Sequence, residues 1–165
     1  SVIKMEKKID KGPVIKEKNF FLKKKYDIRD VHRIANSFFP SLLMDSIKLI
    51  YRNPNKVFKK NCRQNDKYYK QRQDKDGKID WTKKKLDNYN LIRAITKPYP
   101  CAYSFDPNRK KIRIIKCKII DSKKNKKYFP GKVTIINKKL FVDCIDGRLQ
   151  ILKSSRKLNK VKLLN

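Results

Sequence analysis

The stretch Lys132-Val-Thr-Ile-Ile-Asn-Lys-Lys-Leu-Phe-Val-Asp-Cys-Ile-Asp-Gly-Arg-Leu-Gln-Ile-Leu152 decides the fold of the second half of the chain. Two apolar runs, Lys132–Ile136 and Leu140–Ile145, flank the turn Asn137-Lys-Lys. Asp146-Gly147 then separates the second run from Leu149–Leu152. Short β-branched and aromatic runs punctuated this way read as consecutive hairpins, and Asp-Gly is the strongest short-range hairpin signal. Upstream, Lys111–Ile120 alternates basic and apolar residues with the two-residue period of a half-buried strand, and the same period begins at Ala102. Pro130-Gly131 supplies a further turn. So many short strands in succession predict a small β-barrel of the five-stranded OB type.

Working toward the N-terminus, the period changes. Thr82–Ile95 carries Leu86, Tyr89, Ile92 and Ala94 and reads as a helix, preceded by an apolar anchor, Lys78-Ile-Asp-Trp81. Pro98 ends it, because the residue before a proline is pushed out of helical geometry. Residues 52–76 are polar, charged and without period, which marks a linker. Before them, Val31, Ile34, Ala35 and Phe38 recur at helical spacing, and Leu42, Leu43, Ile47 and Ile50 continue the pattern past Pro40. A kinked helix, or two helices in line, is expected from about Ile28, with Asp27 as its cap. Residues 1–5 and 14–22 read as strands joined by a loop with a turn at Gly12-Pro13.

Composition narrows the class. The 165 residues hold 46 Lys and Arg against 15 Asp and Glu, a net charge of +31. A charge of that size gives salt-dependent phosphate binding to any chain that bears it. Lys is used far more than Arg here, as AT-rich coding would produce on any solvated face, so the excess is read chiefly as compositional drift. Eight Phe, eight Tyr and one Trp are too much core material for a disordered basic tail. No run approaches the roughly 18 apolar residues of a membrane-spanning helix, and no secretory leader opens the chain, so a cytoplasmic α+β protein is expected. Cys62, Cys101, Cys117 and Cys144 lie far apart and His32 is the single histidine, a pattern that points away from a metal site. The thiols are expected reduced, with Cys117 and Cys144 buried in their strands. The chain opens on Ser1 followed by a strand-like run, as a sequence starting inside a domain would.

Several segments, in order, carry a resemblance: Val2-Ile-Lys-Met-Glu-Lys-Lys-Ile-Asp-Lys-Gly-Pro-Val14, Asp76-Gly-Lys-Ile-Asp-Trp81, Asn90-Leu-Ile-Arg-Ala94, Pro98-Tyr-Pro-Cys-Ala-Tyr103, Pro130-Gly-Lys-Val133 and Asp146-Gly-Arg-Leu149. Together they resemble the C-terminal part of the formyltransferases that use 10-formyltetrahydrofolate. The resemblance implies three parts. Residues 1–51 would be the tail of a Rossmann-like catalytic domain, 52–75 a linker, and 76–165 an OB-like domain. One departure stands out: the family has Gly after Pro-Tyr-Pro, where this chain has Cys101. Gly at such a place commonly serves a positive φ, so Cys101 is expected to shift that turn slightly.

The resemblance also implies the chemistry. An amine attacks the formyl carbon, a fixed donor holds the tetrahedral oxyanion, and a group of near-neutral pKa moves the proton. In the family an Asn, a His and an Asp fill these roles. Asp10 matches the Asp by its Ile-Asp-x-Gly context, whereas no Asn-x-His segment occurs in these residues. His32 sits in no matching motif and is read as a surface or core residue. Glu6, Lys7, Lys8, Ile9 and Asp10 match the segment that walls the folate site. The 165 residues alone are therefore expected to be inactive. Two acceptors compete: the amino group of a nucleotide-linked amino sugar, and the methionine of initiator tRNA. Tyr68-Tyr-Lys-Gln-Arg72 and Arg93-Ala-Ile-Thr-Lys-Pro-Tyr-Pro100 resemble the sugar branch more closely, while the net charge argues for tRNA. The resemblance leaves room for a homodimer of the intact enzyme and for no membrane insertion. From the residues alone, a basic OB-like nucleic-acid-binding module stands as a further alternative. Tyr99 and Tyr103 are read as packing between helix and barrel.

Overall fold

A computed structural model describes residues 1–7, 12–54, 69–121 and 127–156. The chain divides into two units, Ser1–Lys25 with Asp30–Lys70, and Tyr26–Arg29 with Gln71–Asn165.

In the first unit, β1 (Val2–Ile3) pairs antiparallel with β2 (Val14–Lys16), placing Val2 opposite Lys16 and Ile3 opposite Val14. The expected strand over 14–22 ends at Lys16, opposite Val2. Phe20 instead sets its ring edge-on to Phe38, with centroids 5.6 Å apart. Asp27 caps α1 (Ile28–Arg52) as expected, its Oδ1 accepting the Arg29 N–H at 2.9 Å. α1 runs through Pro40 without interruption, so the in-line pair of helices is not formed. Its buried stripe is Phe38, Leu42 and Ser46, at four-residue spacing, and Ser46 Oγ donates to Leu42 O at 2.7 Å. Leu43 and Ile47, expected inside, are half exposed beside Phe39.

The second unit opens on a 3₁₀ turn, Asp74–Gly77. Ile79 and Trp81 follow, both fully buried, and Trp81 Nε1 donates to Ser104 Oγ at 3.0 Å. α2 is Lys85–Ala94, shorter than the expected 82–95. Its start is fixed from a distance, since the Lys85 N–H donates to Asp146 Oδ1 at 2.6 Å. The helix buries Asn88 and Ile92, and the expected core residue Leu86 faces out. Asn88 sets that rotation, because its Nδ2 donates to Asp80 O at 2.9 Å and reaches Cys144 Sγ at 3.6 Å.

Five strands follow: β3 (Ala102–Phe105), β4 (Lys111–Ile120), β5 (Val133–Ile136), β6 (Lys139–Cys144) and β7 (Gly147–Ser154). They form one antiparallel sheet in the order β3-β4-β7-β6-β5. The register of β4 shifts around Lys116, which lets Ile114 and Cys117, three residues apart, both face the core. There they meet Val133, Val142, Cys144, Leu149 and Ile151. Each fully buried aliphatic side chain of this kind contributes about 1.5–3 kcal/mol. Asn137 and Lys138 both have positive φ, as a two-residue turn between paired Ile136 and Lys139 requires. The last hairpin turns on Ile145-Asp146, with Gly147 already paired to Cys144.

The expected barrel does not close among the described residues. β5 pairs with β6, while the outer edge of β3 is taken by the segment before Trp81, where Ile79 N donates to Tyr103 O at 2.7 Å. That edge is the one a closing strand would need. The architecture is thus mixed helix and strand with an open five-stranded sheet.

Candidate functional site

The segment singled out for folate contact connects β1 to β2. The Lys4 N–H donates to Pro13 O at 3.0 Å, so the two chain ends meet just beyond the paired strands. A Cβ on Gly12 would lie 1.6 Å from the Lys4 carbonyl oxygen. Only a residue without a side chain fits there. The Gly-Pro pair was legible as a turn, but its close approach to Lys4 follows from the pairing register.

Within that loop Glu6 and Lys7 are exposed. Lys8, Ile9 and Asp10 lie outside the described residues. Asp10 is two positions before Gly12 in sequence. β2 is in turn tied to α1 by Lys16 Nζ, 2.8 Å from Asp45 Oδ2. The hydrogen bond and charge of Lys16 hold the Asp45 carboxyl below the usual carboxylate range. His32 is exposed on α1. Among the described residues, no three His, Cys, Asp or Glu side chains gather as metal ligands would.

The same unit carries an apolar groove of about 670 Å³ lined by Ser1, Val2, Asn36, Phe39, Pro40 and Leu43. Phe39, Leu43 and Ile47 lie four residues apart along α1 and are 44%, 49% and 51% exposed. An apolar stripe of this kind on a helix is the face that a packed neighbour normally covers.

In the second unit the two tyrosines part company. Tyr103 is buried, its ring edge-on to Phe105 at 5.5 Å with Lys111 Nζ 3.9 Å from its centroid. Tyr99 is turned outward, because its N–H closes a turn onto Thr96 O at 3.1 Å. Cys101 adopts φ 69°, the left-handed conformation that the family's glycine supplies without strain. Its N–H donates to Ile95 O at 2.9 Å. Cys117 and Cys144 are buried as expected, and burial pushes their thiols up to about 12 and about 11. Such thiols are poor nucleophiles and poor metal ligands.

A family model described as formyl transferase, C-terminal domain, matches residues 72–162. The bifunctional polymyxin resistance protein ArnA of Wigglesworthia glossinidia brevipalpis is 33% identical over 155 residues, which cover 92% of this chain and 22% of that protein. This chain therefore spans about a fifth of the length of that relative. Among solved structures, a variant of HypX from Aquifex aeolicus aligns with a TM-score of 0.69 at 13% identity, over 98% of this chain and 28% of HypX. HypX in complex with tetrahydrofolic acid aligns over the same share with a TM-score of 0.65. The family match covers more than half of the residues and includes the whole sheet and its helix, and the chain belongs to the formyl transferase C-terminal domain family.

Proposed function

We propose that the chain is the C-terminal part of an enzyme that moves a formyl group from 10-formyltetrahydrofolate to the amino group of a nucleotide-linked amino sugar. Residues 1–51 are read as the end of its catalytic domain, 52–75 as a linker, and 76–165 as its C-terminal domain. The carrying observation is continuity: the alignment with the ArnA relative runs over 155 residues, 92% of the chain, and so takes in α1 as well as the sheet. The tetrahydrofolic acid bound to HypX supports a folate donor for the shared fold. The apolar stripe on α1 supports a larger catalytic domain that would cover it.

In this reading the acceptor nitrogen attacks the formyl carbon, its bond to N10 breaks, and the amine proton passes to the leaving nitrogen. Asp10 holds and charges an imidazole supplied by an Asn-x-His segment outside these residues, since a carboxylate beside an imidazole favours its protonated form. Glu6, Lys7, Lys8 and Ile9 form the adjoining wall of the folate site. Lys16, tied to Asp45, braces β2.

One observation favours transfer to initiator Met-tRNA instead. Arg113, Lys116 and Lys118 on β4 and Lys153 on β7 are exposed on a chain of net charge +31. The test is a formyl-transfer assay of the native gene product with 10-formyltetrahydrofolate and either a nucleotide-linked amino sugar or Met-tRNA. Formylation of the sugar, reduced about 10²–10⁴-fold by Asp10→Ala, is the expected result. Formylation of Met-tRNA alone would replace the sugar reading, and full activity of the Asp10→Ala variant would remove the role given to Asp10.

A further inference from the structure

The segment between β2 and α1 carries an exposed patch that formyl transfer does not use. Its sequence is Lys18-Asn-Phe-Phe-Leu-Lys-Lys-Lys25. All eight residues are exposed, and Phe21 and Leu22 at the centre are 95% and 56% exposed. Two adjacent large apolar side chains displayed to water are costly unless something covers them, and such patches mark interaction surfaces.

The display is built from below. Phe20, the least exposed of the three apolar residues, sets its ring edge-on to the buried Phe38 of α1, with centroids 5.6 Å apart. Lys18 Nζ lies 5.1 Å from the centroid of the same Phe38 ring. With Lys18 and Phe20 seated there, Phe21 and Leu22 are the side chains left outside. The seat belongs to the stripe of Phe38, Leu42 and Ser46, about 100° round the helix from the Phe39, Leu43 and Ile47 stripe assigned to a catalytic domain.

The flanks supply charge of one sign. Lys18, Lys23, Lys24 and Lys25 stand against one acidic residue in 17–25, Glu17. Lys16, just before, is already committed to Asp45 at 2.8 Å. Three of the four lysines follow the apolar pair directly, so a surface that takes up Phe21 and Leu22 meets their ammonium groups at once.

That combination selects the partner. Phenylalanine and leucine beside clustered lysines suit an anionic lipid surface, where the apolar groups enter the headgroup boundary and the ammonium groups stay among the phosphates. A docked protein would meet a patch rich in Lys, the residue depleted from protein interfaces. A nucleic acid can stack on Phe21 but gains nothing from Leu22, and residues 17–25 hold no Arg for bidentate phosphate contact. No helix among the described residues is long and apolar enough to cross a membrane, so the contact is peripheral.

We propose that residues 18–25 form a peripheral docking surface for an anionic lipid bilayer, with Phe21 and Leu22 entering the headgroup region and Lys23, Lys24 and Lys25 facing the lipid phosphates. The inference goes beyond formyl transfer and does not depend on which amine is the acceptor.

The experiment is co-sedimentation of the native gene product in about 0.15 M salt with vesicles of phosphatidylcholine, and with vesicles of phosphatidylcholine and phosphatidylglycerol in equal parts. Binding to the anionic vesicles is expected to be at least tenfold tighter than to the neutral ones. Any chain of charge +31 is drawn to anions, so variants locate the contact. Phe21→Ser with Leu22→Ser should weaken binding tenfold or more, and so should Lys23→Gln, Lys24→Gln and Lys25→Gln together. The matched control, Lys116→Gln, Lys118→Gln and Lys153→Gln, removes the same charge from the sheet and should change binding less than threefold. All these side chains are exposed, so thermal melts should match the parent. Phe21→Trp keeps an aromatic ring in place. Its added emission should shift to the blue on anionic vesicles and be quenched by brominated lipid, while the fully buried Trp81 does not respond. Equal affinity for neutral vesicles, indifference to both patch variants, an equal loss in the sheet control, or an unshifted emission from the Phe21→Trp variant overturns the proposal. Patch variants that weaken RNA binding and leave vesicle binding intact overturn it as well. Formyl transfer by the native gene product would stand in any of those cases.

Discussion

At Gly12 a single hydrogen atom in place of a methyl group decides whether β1 and β2 can meet. A Cβ there would be 1.6 Å from Lys4 O, and the partner is backbone rather than a side chain that could swing away. Gly12→Ala is expected to cost about 1–3 kcal/mol, seen as a lower urea midpoint. An unchanged midpoint would show that the loop has room. The buried thiols give a second prediction. Their folded pKa values, about 12 for Cys117 and about 11 for Cys144, lie above the ordinary thiol value of 9.0. The folded state thus holds these protons more tightly than the unfolded state does. The associated stability is complete below pH 9 and is lost as pH rises from there through about 11–12. Urea midpoints should fall across that window, and Cys117→Ala with Cys144→Ala should flatten the slope.

Elements depend here on partners distant in sequence. α2 begins where Asp146 accepts the Lys85 N–H, so the tip of the last hairpin caps a helix 61 residues away. Asp146→Ala should cost about 1 kcal/mol by loss of that cap, measured by chemical denaturation, with little change for Asp146→Asn, which keeps an acceptor. In α1 the ring of Pro40 removes a backbone donor inside a helix of 25 residues. Pro40→Ala should stabilise the helix by up to about 3 kcal/mol, read as a higher thermal midpoint. β6 and β7 are fastened by Arg148 Nε on Asp143 Oδ1, and Asp143 is 1% exposed and also accepts the Phe129 N–H at 3.2 Å. Removing one partner of such a buried pair leaves a charge without compensation, so Asp143→Ala should be the most damaging single change in the sheet, at about 3–5 kcal/mol.

Across the whole molecule, the second unit carries its own core of Ile79, Trp81, Ile92, Ile114, Leu149 and their neighbours. Residues 71–165 expressed alone should therefore unfold cooperatively, with a single transition by circular dichroism and by Trp81 fluorescence. The first unit buries only Phe38, Leu42 and Ser46 along α1 and leaves Phe39, Leu43 and Ile47 half exposed. Alone it should bind hydrophobic dyes and lack a sharp transition. The 165 residues without an added catalytic segment should show no formyl transfer, and turnover by the purified chain would contradict the roles assigned to the absent Asn and His.

Much of this was written in local pattern. The period-two runs announced β4 to β7, Asn137-Lys138 announced its turn, Asp27 its cap, and the ordered motifs announced the formyltransferase family. These features depend on neighbours a few residues apart, which a linear reading sees. Other features depend on what lies across the fold. The Ile79 segment occupies the edge of β3 and leaves the sheet open. Asn88 rotates α2 so that Leu86 faces out, Asp146 sets where that helix starts, and Lys4 makes Gly12 indispensable. Those outcomes were decided by tertiary packing, because each is a competition for one strand edge, one buried amide or one backbone oxygen that sequence spacing does not record.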